Sequence, residues 1–192
     1  MVRKSVESDF LWRECLNTAL KKNRRDPSSR YFQFATMKPD GKPANRTVVF
    51  RGFGEQDEIY IISDARSQKI SELKQNKEAE ICWYFSGTRQ QFRIAGIAEW
   101  ETDACSEVVK KLWQQISEQA KSQFYWPTPG REVEELATET DTEIDSSRPP
   151  RVFGILRFFP NRVDYLSLKG NPQTRILSRL EKNEWVASKI NP

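Results

Sequence analysis

The sequence predicts a mainly β protein with helical decoration, folded as an antiparallel barrel. Three observations carry that expectation. Apolar residues recur at every second position through most of residues 31–63 and again through 79–100. Turn residues such as Asp40-Gly41 and Gly52-Phe53-Gly54-Glu55 separate consecutive runs, which favours hairpin-linked neighbours. Helical spacing is confined to short stretches between and beside the strands, so helices decorate a sheet rather than alternate with its strands.

Each element follows from its own pattern. Residues 8 to 24 place Phe10, Leu11, Cys15, Leu16 and Leu20 at helical spacing and end in the basic run Lys21-Lys22-Asn23-Arg24-Arg25. Tyr31 to Met37 alternates around Phe32, Phe34 and Thr36, and Arg46 to Arg51 is the return strand of that hairpin. Glu58 to Ser63 is a third consecutive strand, and Ser67 to Lys74 a short helix with Ile70 and Leu73 inward. Ala79 to Phe85 and Gln90 to Trp100 are two further strands. Val108, Leu112, Trp113 and Ile116 predict one helix over 103–122. An irregular stretch runs from Tyr125 to Pro150; its part at about 127–150 reads as a solvated acidic loop, with seven acidic residues from Glu132 to Asp145. Strands near Val152 to Phe159, Arg162 to Leu168 and Trp185 to Ile190 close the chain, with a helix or strand over Arg175 to Leu180. No internal repeat divides the 192 residues, so a single domain over 1–192 is expected.

Composition narrows the function by exclusion. Hydrophobic residues make up 37% and charged residues 30%, the balance of a soluble globular chain. No apolar run approaches the roughly 20 residues of a spanning helix, and Met1 to Asp9 lacks an apolar signal segment. The expected address is the cytoplasm, with no membrane partner. Cys15, Cys82 and Cys105 are odd in number and widely spaced, so they read as apolar packers, and no metal site is expected. The chain has no histidine, which removes Ser-His-Asp and Cys-His catalysis, histidine-ligated metals and imidazole acid–base work together. A nucleic-acid role was weighed because the net charge is +4 and Arg51-Gly52-Phe53-Gly54 is similar to the start of an RNA-recognition strand. Glu55-Gln56-Asp57 breaks that pattern and the positive excess is small and dispersed, so no nucleic-acid partner is expected.

Two stretches carry candidate chemistry. In Ile62-Ser63-Asp64-Ala65-Arg66-Ser67-Gln68-Lys69 a strand ends, hydroxyls and a lysine follow, and a helix begins. Free backbone N–H groups, the positive end of a helix dipole and a cation would converge there, which suits a phosphate monoester. The bland alternative is that Asp64 or Ser67 caps the helix and Lys69 is solvated. Arg46, on a neighbouring strand, could add a bidentate guanidinium to the same point. Arg46 and Arg51 lie five residues apart, on opposite faces and roughly 17 Å apart on an ideal strand, so one anion cannot satisfy both. A long ligand with a phosphate at one end and a polar ring at the other could, especially across a bulge; a surface ion pair is the alternative for Arg51. Gln91 offers an amide that can donate to and accept from a heteroaromatic edge, and Gly96 reads as a bulge or barrel corner.

The ordered set Ala35-Thr36, Gly41, Arg46-Thr47-Val48-Val49-Phe50-Arg51, Ile62-Ser63, Ser67-Gln68-Lys69, Gln91 and Gly96-Ile97-Ala98-Glu99 resembles the pyridoxamine 5'-phosphate oxidase family and its relatives, the FMN-binding split barrels. The resemblance spans about Arg30 to Pro192. It implies a six-stranded antiparallel split β-barrel, FMN as cofactor, a homodimer with FMN at the subunit interface, and a small-molecule redox substrate. By position, Arg46 and Lys69 would bind the FMN phosphate, with Ile62, Ser63, Ser67 and Gln68 beside it. Gln68 stands where the family usually has arginine. Thr47, Val48 and Val49 would line the isoalloxazine, with Gln91 near its polar edge. Arg51 takes the place of a family lysine near flavin and substrate, and Arg175 that of an arginine close to the flavin. Trp126 could approach the flavin or simply pack.

The resemblance weakens where a substrate would sit. Asn171-Pro172-Gln173 replaces an Arg-x-His element, Leu166 replaces a tryptophan, and Trp113 to Ser122 matches poorly the helix that binds a substrate phosphate. The stretch Gln123-Phe124-Tyr125-Trp126-Pro127-Thr128-Pro129-Gly130 points to a distinct branch. The expected function is therefore an FMN-dependent oxidoreductase in which the flavin carries the chemistry and no protein group is a required acid or base. The alternative is a flavin reductase or redox protein using NAD(P)H.

Overall fold

A computed structural model describes residues 11–132 and 146–192. Residues 8–10, where the sequence predicts the first helix to begin, and the acidic stretch at 133–145 lie outside the described residues. Helix α1 (Trp12–Lys22) leads through a 3-10 turn (Pro27–Arg30) into strands β1 (Tyr31–Met37), β2 (Pro43–Phe53) and β3 (Ile59–Asp64). Helix α2 (Gln68–Gln75) precedes β4 (Glu78–Phe85) and β5 (Gln90–Glu101); helices α3 (Glu107–Gln115) and α4 (Glu118–Ser122) follow, then a 3-10 turn (Gln123–Tyr125). Strands β6 (Phe153–Ser167), β7 (Thr174–Glu181) and β8 (Glu184–Ile190) complete the described chain.

Strands β3-β2-β1-β4-β5-β6 are antiparallel neighbours, and β6 also pairs with β3, which closes a six-stranded barrel. The strand that closes it does two jobs. Phe153–Phe158 pairs with β3, whereas Arg162–Ser167 pairs with β7, so β7 and β8 leave the barrel as a side hairpin. Where the sequence predicts two strands, 152–159 and 162–168, there is one long strand with a bulge: the register shifts between Ala95 and Gly96, opposite Pro160. A Cβ at Gly96 would collide with the Phe159 carbonyl oxygen, so the close approach of the two backbones requires glycine, as the corner reading of Gly96 anticipates.

The alternating residues fill the barrel. Phe32, Phe50, Trp83 and Phe85 are buried, with Trp83 central: its ring lies 4.7 Å from Phe32, 5.1 Å from Phe50 and 5.4 Å from Phe85. A second apolar cluster lies outside the barrel, where Val109, Leu112, Trp113 and Ile116 pack with Phe153 and Ile155. That packing fixes α3 and α4 beside the β3–α2 junction. The single helix predicted over 103–122 is broken at Ile116, which is buried in an extended conformation, and Ser117 restarts the helix by accepting from Ala120 N. Arg175 to Leu180 is strand, within β7. Among the described residues no helix is long and apolar enough to cross a membrane.

Candidate functional site

A cleft of about 390 Å³ opens between the outer side of β2, the β3–α2 junction and the segment from Ile116 to Pro129. It brings together nine of the residues singled out by sequence: Thr47, Val48, Val49, Arg51, Ile62, Ser63, Ser67, Lys69 and Trp126.

One end is polar and cationic. Lys69 Nζ donates to Ser63 Oγ at 2.9 Å and to Ser67 Oγ at 3.0 Å, and the two hydroxyls are 3.2 Å apart. Ser67 precedes α2 with an extended backbone and makes no side-chain cap bond to it. The first N–H groups of α2 therefore depend on partners from outside the helix. Burial, then the nearby Arg46 cation, lower the Lys69 pKa. An anion placed at this corner would relieve both strains at once, which is the reading the Ser63–Lys69 stretch anticipates.

Arg46 meets a partner that the sequence reading did not include. Its Nη2 donates to Glu72 Oε2 at 2.7 Å, and Nη1 to the Phe34 carbonyl at 3.1 Å and to Thr36 Oγ1. Glu72 also accepts from Thr36 and is only 4% exposed. Arg46 thus stands behind the corner, close enough to act on Lys69, but outside the cleft lining. The signal was present: Glu72 lies between the inward-facing Ile70 and Leu73, an unusual place for an unpaired carboxylate.

Arg51 marks the other end. The β2–β3 register shifts between Phe50 and Gly52, so Arg51 is the bulged residue, while Arg46, paired with Glu72, does not share its cleft. The Arg51 Nε is buried without a hydrogen-bond partner among the described residues, and burial, followed by Arg30, lowers its pKa. Arg51 also borders a second cleft of about 400 Å³, shared with Tyr60, Lys111, Leu112 and Gln115. Between the two ends, Val48, Val49, Ile62 and Phe124 give an apolar middle. A flat, elongated ligand with an anionic tail fits this sequence of surfaces.

Gln68, Gln91 and Arg175 do not line the cleft. Gln68 is exposed at the start of α2. Gln91 lies on β5 opposite Tyr84 and Leu166, and Leu166 lies opposite Arg175, so Gln91 and Arg175 share one row of the outer sheet face. Arg175 is held by Asp164, Nη2 to Oδ2 at 2.8 Å. Sequence reasoning missed Asp64, Ile116, Ala120, Gln123, Phe124 and Pro129 as lining residues. Only the aromatic and proline-rich run at 123–130 hinted at them, because the helix break that aims Ile116 and Ala120 inward has no local signature.

Comparison with known proteins gives this arrangement a context. Residues 9–102 match the family described as pyridoxamine 5'-phosphate oxidase, FMN-binding domain. An Arabidopsis thaliana protein named pyridoxine/pyridoxamine 5'-phosphate oxidase 2 is 38% identical, over 94% of this chain and 96% of its own. The crystal structure of a pyridoxamine 5'-phosphate oxidase-related, FMN binding protein from Nostoc punctiforme superposes with a TM-score of 0.85 at 38% identity, covering 96% of this chain and 99% of that one. PhzG from Burkholderia lata, solved with tetrahydrophenazine-1-carboxylic acid, shares the fold at a TM-score of 0.77 and 18% identity, over 98% of this chain and 100% of that one. With near full-length identity of this order and the same closed barrel, the chain belongs to the pyridoxamine 5'-phosphate oxidase-related family of FMN-binding split-barrel proteins.

Proposed function

We propose that this protein is an FMN-dependent oxidoreductase whose cleft holds the FMN phosphate at Ser63, Ser67 and Lys69, and the ring along Thr47, Val48 and Val49. The observation that carries this reading is the pair of cations at the two ends of the cleft: a desolvated lysine held by two hydroxyls at a helix start, and a guanidinium whose Nε is buried without a hydrogen-bond partner among the described residues. Bound FMN would supply the two-electron chemistry. The chain's own residues bind, orient and shield: Lys69 and the first α2 amides neutralise the tail, the valines and Phe124 exclude water, and Arg51 meets the polar ring edge or a substrate anion.

The cleft that shares Arg51 also contains Lys111 and Gln115, which supports a donor carrying an anionic group of its own. Pyridoxamine phosphate and NAD(P)H both meet that description, so oxidase and reductase activities are separated by anaerobic mixing. Bleaching of bound flavin by NAD(P)H but not by pyridoxamine phosphate identifies a reductase.

Two copies are proposed to pair through the outer sheet face. Thr47 lies opposite Gln33, Gln33 opposite Cys82 and Cys82 opposite Arg93, so the cleft wall and the row beside Gln91 and Arg175 belong to one surface. A partner on that surface could receive Gln91 and Arg175 beside its own cleft, which accounts for their distance from the cleft of their own chain.

The deciding measurement is a calorimetric titration of purified protein with FMN. Wild type is expected to bind, and Lys69→Met to weaken binding by about tenfold or more, the worth of one charge-assisted contact to phosphate. Wild-type protein that ignores FMN overturns the proposal.

A further inference from the structure

The outer wall of the cleft runs from Glu118 to Trp126, where Lys121 meets Glu118 at 2.7 Å and lies 5.4 Å from the Trp113 ring. Helix α4 is five residues long, and neither it nor the following 3-10 turn contains a buried residue. A helix of that length is not self-supporting. Phe124 leans on Trp113 and Phe153, but Trp126 is 58% exposed, and the prolines at 127 and 129 have no N–H to donate.

A polar tie joins the end of this wall to one side chain on the other side of the cleft. Arg66 forms a fork with Asp64, Nε to Oδ1 at 3.0 Å and Nη2 to Oδ2 at 2.6 Å. Its remaining donors reach across to the wall: Nη1 meets the Trp126 carbonyl at 2.9 Å and Nη2 the Phe124 carbonyl at 3.3 Å. Asp64 is held in turn by its bond from Arg66 N at 2.7 Å. The Arg66 guanidinium is thus neutralised by Asp64 and committed to the backbone of the wall.

We propose that Arg66 is a positioning residue that latches the Phe124–Trp126 wall across the cleft and thereby sets how fast an anionic flavin leaves. The first half stands on this geometry alone; the second rests on the FMN reading above. Lysine cannot replace it, because one ammonium does not reach a carboxylate and two carbonyls in a fixed fork.

The test combines hydrogen exchange on flavin-free protein with the kinetics of FMN release, read from the recovery of free-flavin fluorescence. In Arg66→Met, amides of residues 124–126 are expected to exchange about tenfold faster, the size expected for losing hydrogen bonds to a charged donor. Amides of β3 and α1 should keep their rates. FMN release should accelerate by a similar factor while association changes less than about twofold, a split that general loss of stability would not produce. Arg66→Lys is expected to behave like Arg66→Met. Asp64→Asn, which keeps the side chain's shape but removes its charge and one of the fork's two acceptors, should loosen the same amides to a smaller degree and serves if Arg66→Met unfolds. Unchanged exchange at 124–126 in the folded variants overturns the latch; faster exchange with unchanged release overturns its control of the ligand. If wild type binds no FMN, the functional reading fails, while exchange still decides the latch.

Discussion

Arg46 and Lys69 are both cations beside the start of α2, yet burial gives them different partners and different consequences. Arg46→Ala would strand the Glu72 carboxylate in the core and is expected to cost about 3–5 kcal/mol in urea unfolding. Arg46→Met combined with Glu72→Leu should recover most of that loss. Lys69→Met removes a desolvated ammonium with no carboxylate at ion-pair distance among the described residues, so stability should hold or rise while FMN affinity falls. The sign with pH follows from the same shift. A lysine whose folded pKa is lowered binds fewer protons folded than unfolded, so flavin-free protein gains stability as pH rises through that pKa; anion binding, which needs the proton, weakens there, before the ordinary 10.5. Asp164 has the same sign with pH but acts in the acid range. Arg175 above all, then Arg93 and Arg162, hold its pKa below 3.8, so its contribution is complete above that value and disappears as acid titrates below it. Acid unfolding of Asp164→Asn should lack that component. The lysine was legible from eight consecutive residues; the Arg46 pair was not, since it joins positions 26 apart.

At the scale of elements, alternation and turns foretold β1 to β5 with their ends nearly right, because a half-buried strand writes its period into consecutive residues. Alternation does not say whether two apolar runs are separate strands or one strand passing a bulge. Pro160 and Gly96 decide that only when they face each other. Gly96→Ala is accordingly expected to destabilise the protein by about 1–3 kcal/mol, because the colliding Phe159 atom belongs to the backbone, which gives way less easily than a side chain. Thermal unfolding followed by circular dichroism would show it, and an unchanged midpoint would mean that the two strands need not approach so closely. The break between α3 and α4 has the same character. Val109, Leu112, Trp113 and Ile116 keep a helical period, and only their docking on Phe153 and Ile155 makes an extended Ile116 preferable.

For the whole molecule, the proposed pairing of two copies makes a prediction of its own. Tyr84 is 48% exposed on β4, in the same row as Gln91, Leu166 and Arg175. Tyr84→Glu introduces a charge where the isolated chain tolerates one, so the fold should persist. In a paired molecule it would place two carboxylates in a desolvated contact, and sedimentation velocity should show a shift from dimer to monomer together with weaker FMN retention. A wild-type chain that sediments as a monomer with full flavin would refute the pairing.

The strands, their antiparallel order and the anion corner were written in the chain itself, since period, turn chemistry and the strand–hydroxyl–lysine–helix succession are properties of neighbouring residues. Folding alone decided that Arg46 faces Glu72, that Arg51 emerges on a bulge, that Arg66 grips the far wall, and that Gln91 and Arg175 share a row of the outer sheet face away from the cleft. Each of these depends on register and packing between distant segments, and no local pattern carries that information.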